Sequence, residues 1–454
     1  MDRMWKCIRL GLFAGALTLG LCGSTAMAAE GEVEVAAAAA PAIDTGDTAW
    51  MLASAGLVLL MTPGLAFFYG GLVRRKNVLS VLMQCFMVMC VVTLQWVLFG
   101  YSLAFGPTVG GWIGNLDWAF LKGVGADPNT GYAATIPHSV FMAFQLKFAI
   151  ITPALIIGAL AERMKFSAFC VFLLLWTTLV YDPVAHWVWG LGGLLARFDA
   201  GGNAIPGALD FAGGTVVHIN AGVAALAGAL VLGKRVGNLS PPHNLPLAIM
   251  GAGMLWFGWF GFNAGSALGA NATAANAFIT THVSTAAAGL TWALCDWFHH
   301  RRPTTLGIIT GAVAGLVAIT PACGFVSPMN AIWIGLGSAL LGFISVTFVK
   351  SKLGYDDTLD AFGVHGVGGL WGAIATGIFA QEAYGGFNGL LYGDATQFVT
   401  QIKAALITVV YSFVVSWILF KLVDLTMGLR VSEHEERIGL DLTQHKETGY
   451  TTLD

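Results

Sequence analysis

Eleven windows of about 20 mainly apolar residues run through this chain, at 48–73, 77–106, 138–161, 166–189, 209–232, 245–266, 276–298, 304–321, 328–349, 359–380 and 398–424. Each is long enough to cross a hydrocarbon layer about 30 Å thick as an α-helix. A backbone in lipid must satisfy its own polar groups, and helices do so within each segment. The 454 residues are 56% hydrophobic and 10% charged, outside the balance of a soluble globular domain. The reading is an all-α integral membrane protein with eleven transmembrane helices. Its 59 glycines suit helices whose backbones approach closely in lipid. A net charge of −3 with no long basic run gives nucleic acid no footprint.

The opening stretch, MDRMWKCIRLGLFAGALTLGLCGSTAMAAE, has a basic region ending in Lys6 and Arg9, a modest apolar core and the small-residue site Ala26-Met27-Ala28. It predicts a signal peptide over 1–28, cleaved after Ala28; the competing reading is an additional helix, for which the core is short. Residues 29–46 would then be a flexible extracytoplasmic N-terminus, 47–424 the helical domain and 425–454 a cytoplasmic tail. Basic residues follow alternate connections: Arg74, Arg75 and Lys76; Arg163 and Lys165; Lys234 and Arg235; Arg301 and Arg302; Lys350 and Lys352. The positive-inside rule places these in the cytoplasm, which agrees with an exported N-terminus and a multi-pass protein of the cell inner (plasma) membrane. Cys85, Cys90, Cys170, Cys295 and Cys323 show no metal or redox spacing and read as small buried hydrophobes.

An odd helix count with opposite termini allows two inverted five-helix repeats plus a final helix, with a transport site at the repeat interface. The fifth window holds Asp210 and His218 in DFAGGTVVHI, and the tenth holds Asp360 and His365 in DAFGVHGVGG. Counting 1.5 Å per residue, the two histidines approach the midplane from opposite sides, about 13 Å and about 10 Å deep. Each imidazole is the other's expected partner. Intramembrane ionisable residues are expensive and point to function, although a single histidine can also be a core residue bonded to a carbonyl. Asp210 is expected to cap its helix by accepting backbone N–H bonds.

With these residues the chain resembles the ammonium transporter family (Amt, with the Mep and Rh relatives), specifically its bacterial members. The resemblance covers nearly the whole chain beyond the leader and is carried by FFYGGLVRRKNVLS, FAIITPALIIGALAERMKFSA, HWVWG, LDFAGGTVVHINAG, SPPHNLP, WFGFNAGSA, TPACG, DAFGVHGVGG and GLRVSEHEERIGLD. It implies an eleven-helix homotrimer in membrane lipid, with one pore per subunit moving ammonium inward and methylammonium as an analogue. It further implies a cation site of Phe144, Trp189 and Ser266, a phenyl gate of Phe148 and Phe262, a pore tryptophan at Trp259, twin pore histidines at His218 and His365, and a structural role for Asp210. The tail resembles a docking site for PII-type signalling proteins. No cofactor or metal is implied.

The chemistry of these residues agrees with that picture. Aromatic faces attract a small cation by roughly 0.5–2 kcal/mol each, weak enough for it to leave again. A bare ion in the apolar segment beyond would face an idealised cost of tens of kcal/mol, so the expectation is deprotonation at the mouth and passage of ammonia along neutral imidazoles. Two other classes compete: an intramembrane enzyme using the histidines as metal ligands, which lacks a ligand-spaced motif, and an ammonium sensor, for which a tail of about 30 residues is too short to be a signalling domain. Lys147, between Phe144 and Phe148, is expected to face a subunit contact or snorkel outward. His282 is expected outside the pore, and His299 and His300 on solvated surface.

Overall fold

The computed structural model describes residues 42–237 and 241–450. The expected signal peptide and most of the following N-terminal stretch fall outside that range. Among the described residues nine helical segments are long and apolar enough to cross a membrane. They are α1 (Thr45–Leu72), α2 (Arg75–Phe105), α3 (His138–Leu160), α4 (Phe166–Trp189), α5 (Gly214–Leu232), α6 (Leu245–Ala267), α9 (Pro328–Leu353), α10 (Phe362–Phe379) and α11 (Ala395–Met427). Between α6 and α9 lie the more polar α7 (Ala272–His300) and the shorter α8 (Thr305–Ile319). With these two, the windows read from sequence all have a helix.

Local chemistry sets the helix starts. Asp44, Asn244, Asn271, Thr304, Ser327 and Asp394 each accept a backbone N–H at the N-terminus of α1, α6, α7, α8, α9 and α11 respectively, a device worth about 1 kcal/mol per cap. α5 and α10 begin later than their hydropathy windows, at 214 and 362. The preceding residues are spent on capping turns.

The bundle has a basic end, with Arg74, Arg163, Arg235 and Lys350, and a loop end, formed by segments 106–137 and 190–213. The chain alternates between them, so α5 starts at the loop end and α10 at the basic end. These two cross on glycine. A Cβ on Gly222 would lie 2.1 Å from the backbone nitrogen of Gly366, and one on Gly369 would lie 2.9 Å from Cβ of His218. Gly222 and Gly369 each follow their own helix's histidine by four residues, so the contact is reciprocal, as inverted repeats require.

Five stretches adopt π-helical turns, in α2, α4, α5, α9 and α10. Such turns often occur where function sits, and two of them, Gly214–Ile219 and Phe362–Gly366, contain His218 and His365.

The chain beyond α11 folds back on the basic end as α12 (Glu433–Ile438) and α13 (Leu440–His445). Lys165 N–H donates to Leu429 O at 2.8 Å and Val431 N–H to Arg163 O at 3.0 Å. Asp441 accepts from Ser80 N–H at 2.8 Å, close to the start of α2. Beneath it Glu162, 1% exposed, pairs with Arg74 and Arg235, each at 2.9 Å, and Arg235 also pairs with Asp356 at 2.9 Å. Of the five cysteines only Cys85 and Cys323 are buried as expected; Cys170 and Cys295 are partly exposed and Cys90 is exposed on the flank of α2, because its helical position faces outward from the bundle.

Candidate functional site

At the loop end a cavity of about 400 Å³ opens between α3, α4, α6 and the 190–213 segment; Trp189, Ser266, Gln145 and Asp210 line it, and Phe148 lies at its base. Trp189 is held there because its indole N–H donates to the backbone carbonyl of Asp210 at 3.0 Å. The carboxylate of the same aspartate accepts four successive backbone N–H groups, those of Gly213, Gly214, Thr215 and Val216, at 2.6–3.1 Å. Asp210 thus satisfies the donors that a helix start leaves free and positions the tryptophan with its main chain. The Ser266 hydroxyl donates to Phe262 O at 2.8 Å, which leaves its oxygen lone pairs as an acceptor for a further donor. Phe144 does not line the cavity; it is fully buried, with its ring 5.0 Å from that of Phe148.

The base of the cavity is shut by two rings. Phe148 and Phe262 stand 4.2 Å apart between centroids, inclined by 32°, and Phe148 meets Trp189 edge-on at 5.7 Å. Beyond them is a space of about 10 Å³ lined by His218, His365, Trp259, Phe262, Phe68 and other apolar side chains. That is about the room one water-sized molecule needs. Nδ1 of His218 lies 3.3 Å from Nδ1 of His365, so one ring donates and the other accepts. His218 also stacks on Trp259 at 5.4 Å, whose N–H donates to the Thr320 hydroxyl at 2.9 Å. Past His365 a second cavity of about 420 Å³ leads to the basic end, lined by Tyr69, Asp296, Lys350 and Asp360 among others. Phe262 is shared by the ring pair and the small space, and His365 by the small space and the second cavity, so one line of residues joins both ends.

The Nδ1–Nδ1 contact has a chemical consequence. A neutral imidazole carries one N–H, so the ring that donates through Nδ1 has a free acceptor at Nε2, and the ring that accepts through Nδ1 has its N–H at Nε2. The pair therefore offers one acceptor and one donor. Nε2 of His218 is buried without a hydrogen-bond partner among the described residues.

Lys147 lines neither the large mouth cavity nor the histidine space and is partly exposed. His282 is exposed beside Trp256 and Phe260, away from the passage. His299 and His300 are both exposed, and His300 also borders the cavity at the basic end. Two residues were not singled out from sequence. Thr320 is found through a contact 61 positions away, for which a single sequence has no signal. Asp357 accepts from Ala361 and Phe362 N–H at 3.1 and 2.8 Å and does for α10 what Asp210 does for α5. Asp360, the acid noted beside His365 in the sequence, instead pairs with Lys350 at 2.6 Å. The usable signal was register: Asp210 and Asp357 both stand eight residues before their histidine.

Fold and passage together define a polytopic helical membrane protein with a narrow, largely apolar route inside a single chain. The chain belongs to the ammonium transporter family: the pattern described as Ammonium Transporter Family matches residues 49–450. It is 53% identical to an ammonium transporter of Bacillus subtilis over 89% of this chain and 98% of that protein. It is 47% identical to ammonium transporter Amt1 of Archaeoglobus fulgidus over 89% and 99%. Among solved structures it resembles Mep2 of Saccharomyces cerevisiae, with a TM-score of 0.80, 35% identity and 86% and 88% of the two chains covered. It also resembles a protein described as a sensor Amt protein, with a TM-score of 0.80, 30% identity and 88% and 98% covered.

Proposed function

We propose that the chain takes ammonium from the loop end, strips one proton from it at the mouth and passes ammonia between the phenyl gate and the twin histidines to the basic end. Phe144, Trp189 and Ser266 form the recruiting site in this reading, with Phe144 backing the lining rather than touching the cavity. Phe148 and Phe262 are the gate, and Trp259, His218 and His365 the conducting segment. Asp210 is the structural support for both the α5 start and Trp189. The observation that carries the reading is the 3.3 Å contact between the two imidazoles inside a space sized for one small molecule.

The physical logic is selection by charge loss. A bare cation between apolar side chains has no ligand to replace its water, whereas ammonia has one lone pair and three N–H groups to set against the donor and acceptor of the histidine pair. A metal cation that cannot lose a proton has no such alternative. The released proton has a hydrogen-bonded imidazole edge available to it. We read the chain as a transporter and not an enzyme, with no cofactor, acting as a homotrimer in the inner membrane with its loop end outward and its tail in the cytoplasm. Methylammonium fits the same logic as an analogue. The docked α12–α13 tail supports a PII-type protein as a cytoplasmic partner, and it supports a sensor role through a separate protein as the second reading.

Reconstituted protein is tested by recording current during an ammonium pulse, with His218→Ala and His365→Ala measured in parallel. The expected result is wild-type transport that both substitutions change in rate or in discrimination against potassium. If both variants match wild type on rate and selectivity, the histidine relay is wrong.

A further inference from the structure

The mouth cavity contains a cation of its own. Arg197 lines it, on a hairpin whose arms are joined by the Ile205 N–H bond to Arg197 O at 2.8 Å and whose turn is closed by Asp199 N–H on Asn203 O at 2.9 Å. The guanidinium carbon lies 4.0 Å from the ring centre of Phe387, 5.4 Å from that of Phe325 and 5.5 Å from that of Phe198. Its Nε is buried with no hydrogen-bond partner, and no carboxylate pairs with the side chain among the described residues. Asp210 is the sole acid among the residues lining the cavity, and both its oxygens are engaged by backbone N–H groups. The guanidinium therefore has no ion-pair partner there, and the negative charge of Asp210 is turned onto the α5 start, whose free N–H groups and helix dipole offset it.

Three rings hold that charge in place. Their faces offset part of the desolvation of the guanidinium by cation–π attraction, and a guanidinium does not escape the cost by losing its proton. Burial pulls its pKa down to about 10, which leaves it charged at neutral pH.

We propose that Arg197 sets the affinity of the mouth for its substrate, acting as a fixed like charge that lowers ammonium occupancy beside Trp189 and Ser266. The inference rests on the reading that ammonium enters by this cavity. In a space of about 400 Å³, a cation at the base stands on the order of 10 Å from the guanidinium. Repulsion between unit charges at that distance lowers occupancy by a factor of about 2 under bulk-water screening and about 15 at an effective dielectric constant of 20. The effect favours release over retention, so a low-affinity mouth fills and empties quickly. Arg197 does not touch the substrate in this scheme; it acts through the potential at the mouth.

The test uses the full chain in vesicles of zwitterionic phosphatidylcholine. Initial ammonium uptake is measured against concentration at ionic strengths of about 0.01 M and about 0.15 M, adjusted with choline chloride, which shortens the Debye length from about 30 Å to about 8 Å. Wild type is expected to half-saturate at a concentration at least twofold lower in the higher salt. Arg197→Gln should half-saturate about three- to tenfold below wild type at low salt and show little salt dependence. Arg197→Lys keeps the charge without the planar stack and should follow wild type. A wild-type affinity that does not improve with salt overturns the proposal even if Arg197→Gln fails to fold. So does a lysine variant that behaves like the glutamine one, since the rings and not the charge would then matter. Wild-type vesicles that take up no ammonium at all would instead refute the transport reading.

Discussion

α5 and α10 bring their histidines to one point by the same local device and differ in what surrounds it. In both, an aspartate eight residues before the histidine accepts the first free backbone N–H groups of the helix. In both, the residue five before the histidine is left-handed: Gly213 at φ 103° and Asp360 at φ 61°. Glycine takes that conformation freely and aspartate is among the few other residues that tolerate it. The surroundings then diverge. Asp210 takes four N–H groups and has no cation as partner, while Asp357 takes two and sits beside Lys350, which donates to its backbone carbonyl at 2.6 Å and pairs with Asp360. Where no other charge is available a single carboxylate does all the capping, and where the basic end supplies cations the work is divided.

That division predicts unequal damage. Asp210→Ala leaves four buried donors without a partner, each costing about 1–3 kcal/mol, and also loosens the turn that aims its carbonyl at Trp189. Little folded protein is expected in the membrane, read as recovered yield and thermal midpoint in detergent. Asp357→Ala frees only two donors and leaves Lys350–Asp360 in place, so it should give folded protein with a lowered midpoint. Equal losses would mean that the two caps are equivalent and that the local charges do not matter.

The same pair of helices marks what a single sequence discloses. Eleven apolar windows and two buried histidines were legible because hydropathy and cost in lipid are local properties. The inverted relation is legible in the two acid–histidine motifs, but the register is not: Asp360 stands closer to its histidine than Asp210 does, and its positional counterpart is Gly213. Spacing between an acid and a histidine does not say which carboxylate turns back onto the helix start. The Phe148–Phe262 ring contact and the Thr320 bond to Trp259 depend on helices distant in sequence, and only the family resemblance pairs the two rings. Arg197 carried no signal at all, since its three rings come from positions 198, 325 and 387.

The glycine crossing gives a milder test of the symmetry. An added methyl at Gly222 would meet the Gly366 backbone at 2.1 Å, and one at Gly369 would meet the Ile219 nitrogen and His218 Cβ at 2.9 Å. Neither obstacle is a flexible tip, so the helices must part, at a cost of about 1–3 kcal/mol. Gly222→Ala should fold and conduct several-fold more slowly, because the imidazole contact opens, and Gly369→Ala should do the same to a lesser degree. Uptake by either variant at the wild-type rate would show that the histidine contact tolerates separation.

The smallest effect is expected from acid acting on the ion pairs of the basic end. Burial pushes Asp356 upward, but its bonds to Arg235 and the nearby Arg163 outweigh that and hold it at about 2, against an ordinary 3.8. Glu162 behaves alike: burial raises it, and Arg74, Arg235 and Asn77 bring it below the usual carboxylate value. A carboxylate depressed in the folded state contributes stability that is fully present above its unfolded pKa and is lost as pH falls through the folded one. The Asp356 share is thus complete above about pH 4 and disappears toward pH 2. Asp356→Asn should lower the thermal midpoint in detergent by about 1–2 °C at pH 6, and the gap from wild type should close as the pH drops through that window. The cap at Asp210 has no such ion pair, so Asp210→Asn should not show a gap that closes in this window; the same closing gap there would mean that the ion pairs are not its cause, and the contrast between the two helices would have to be redrawn.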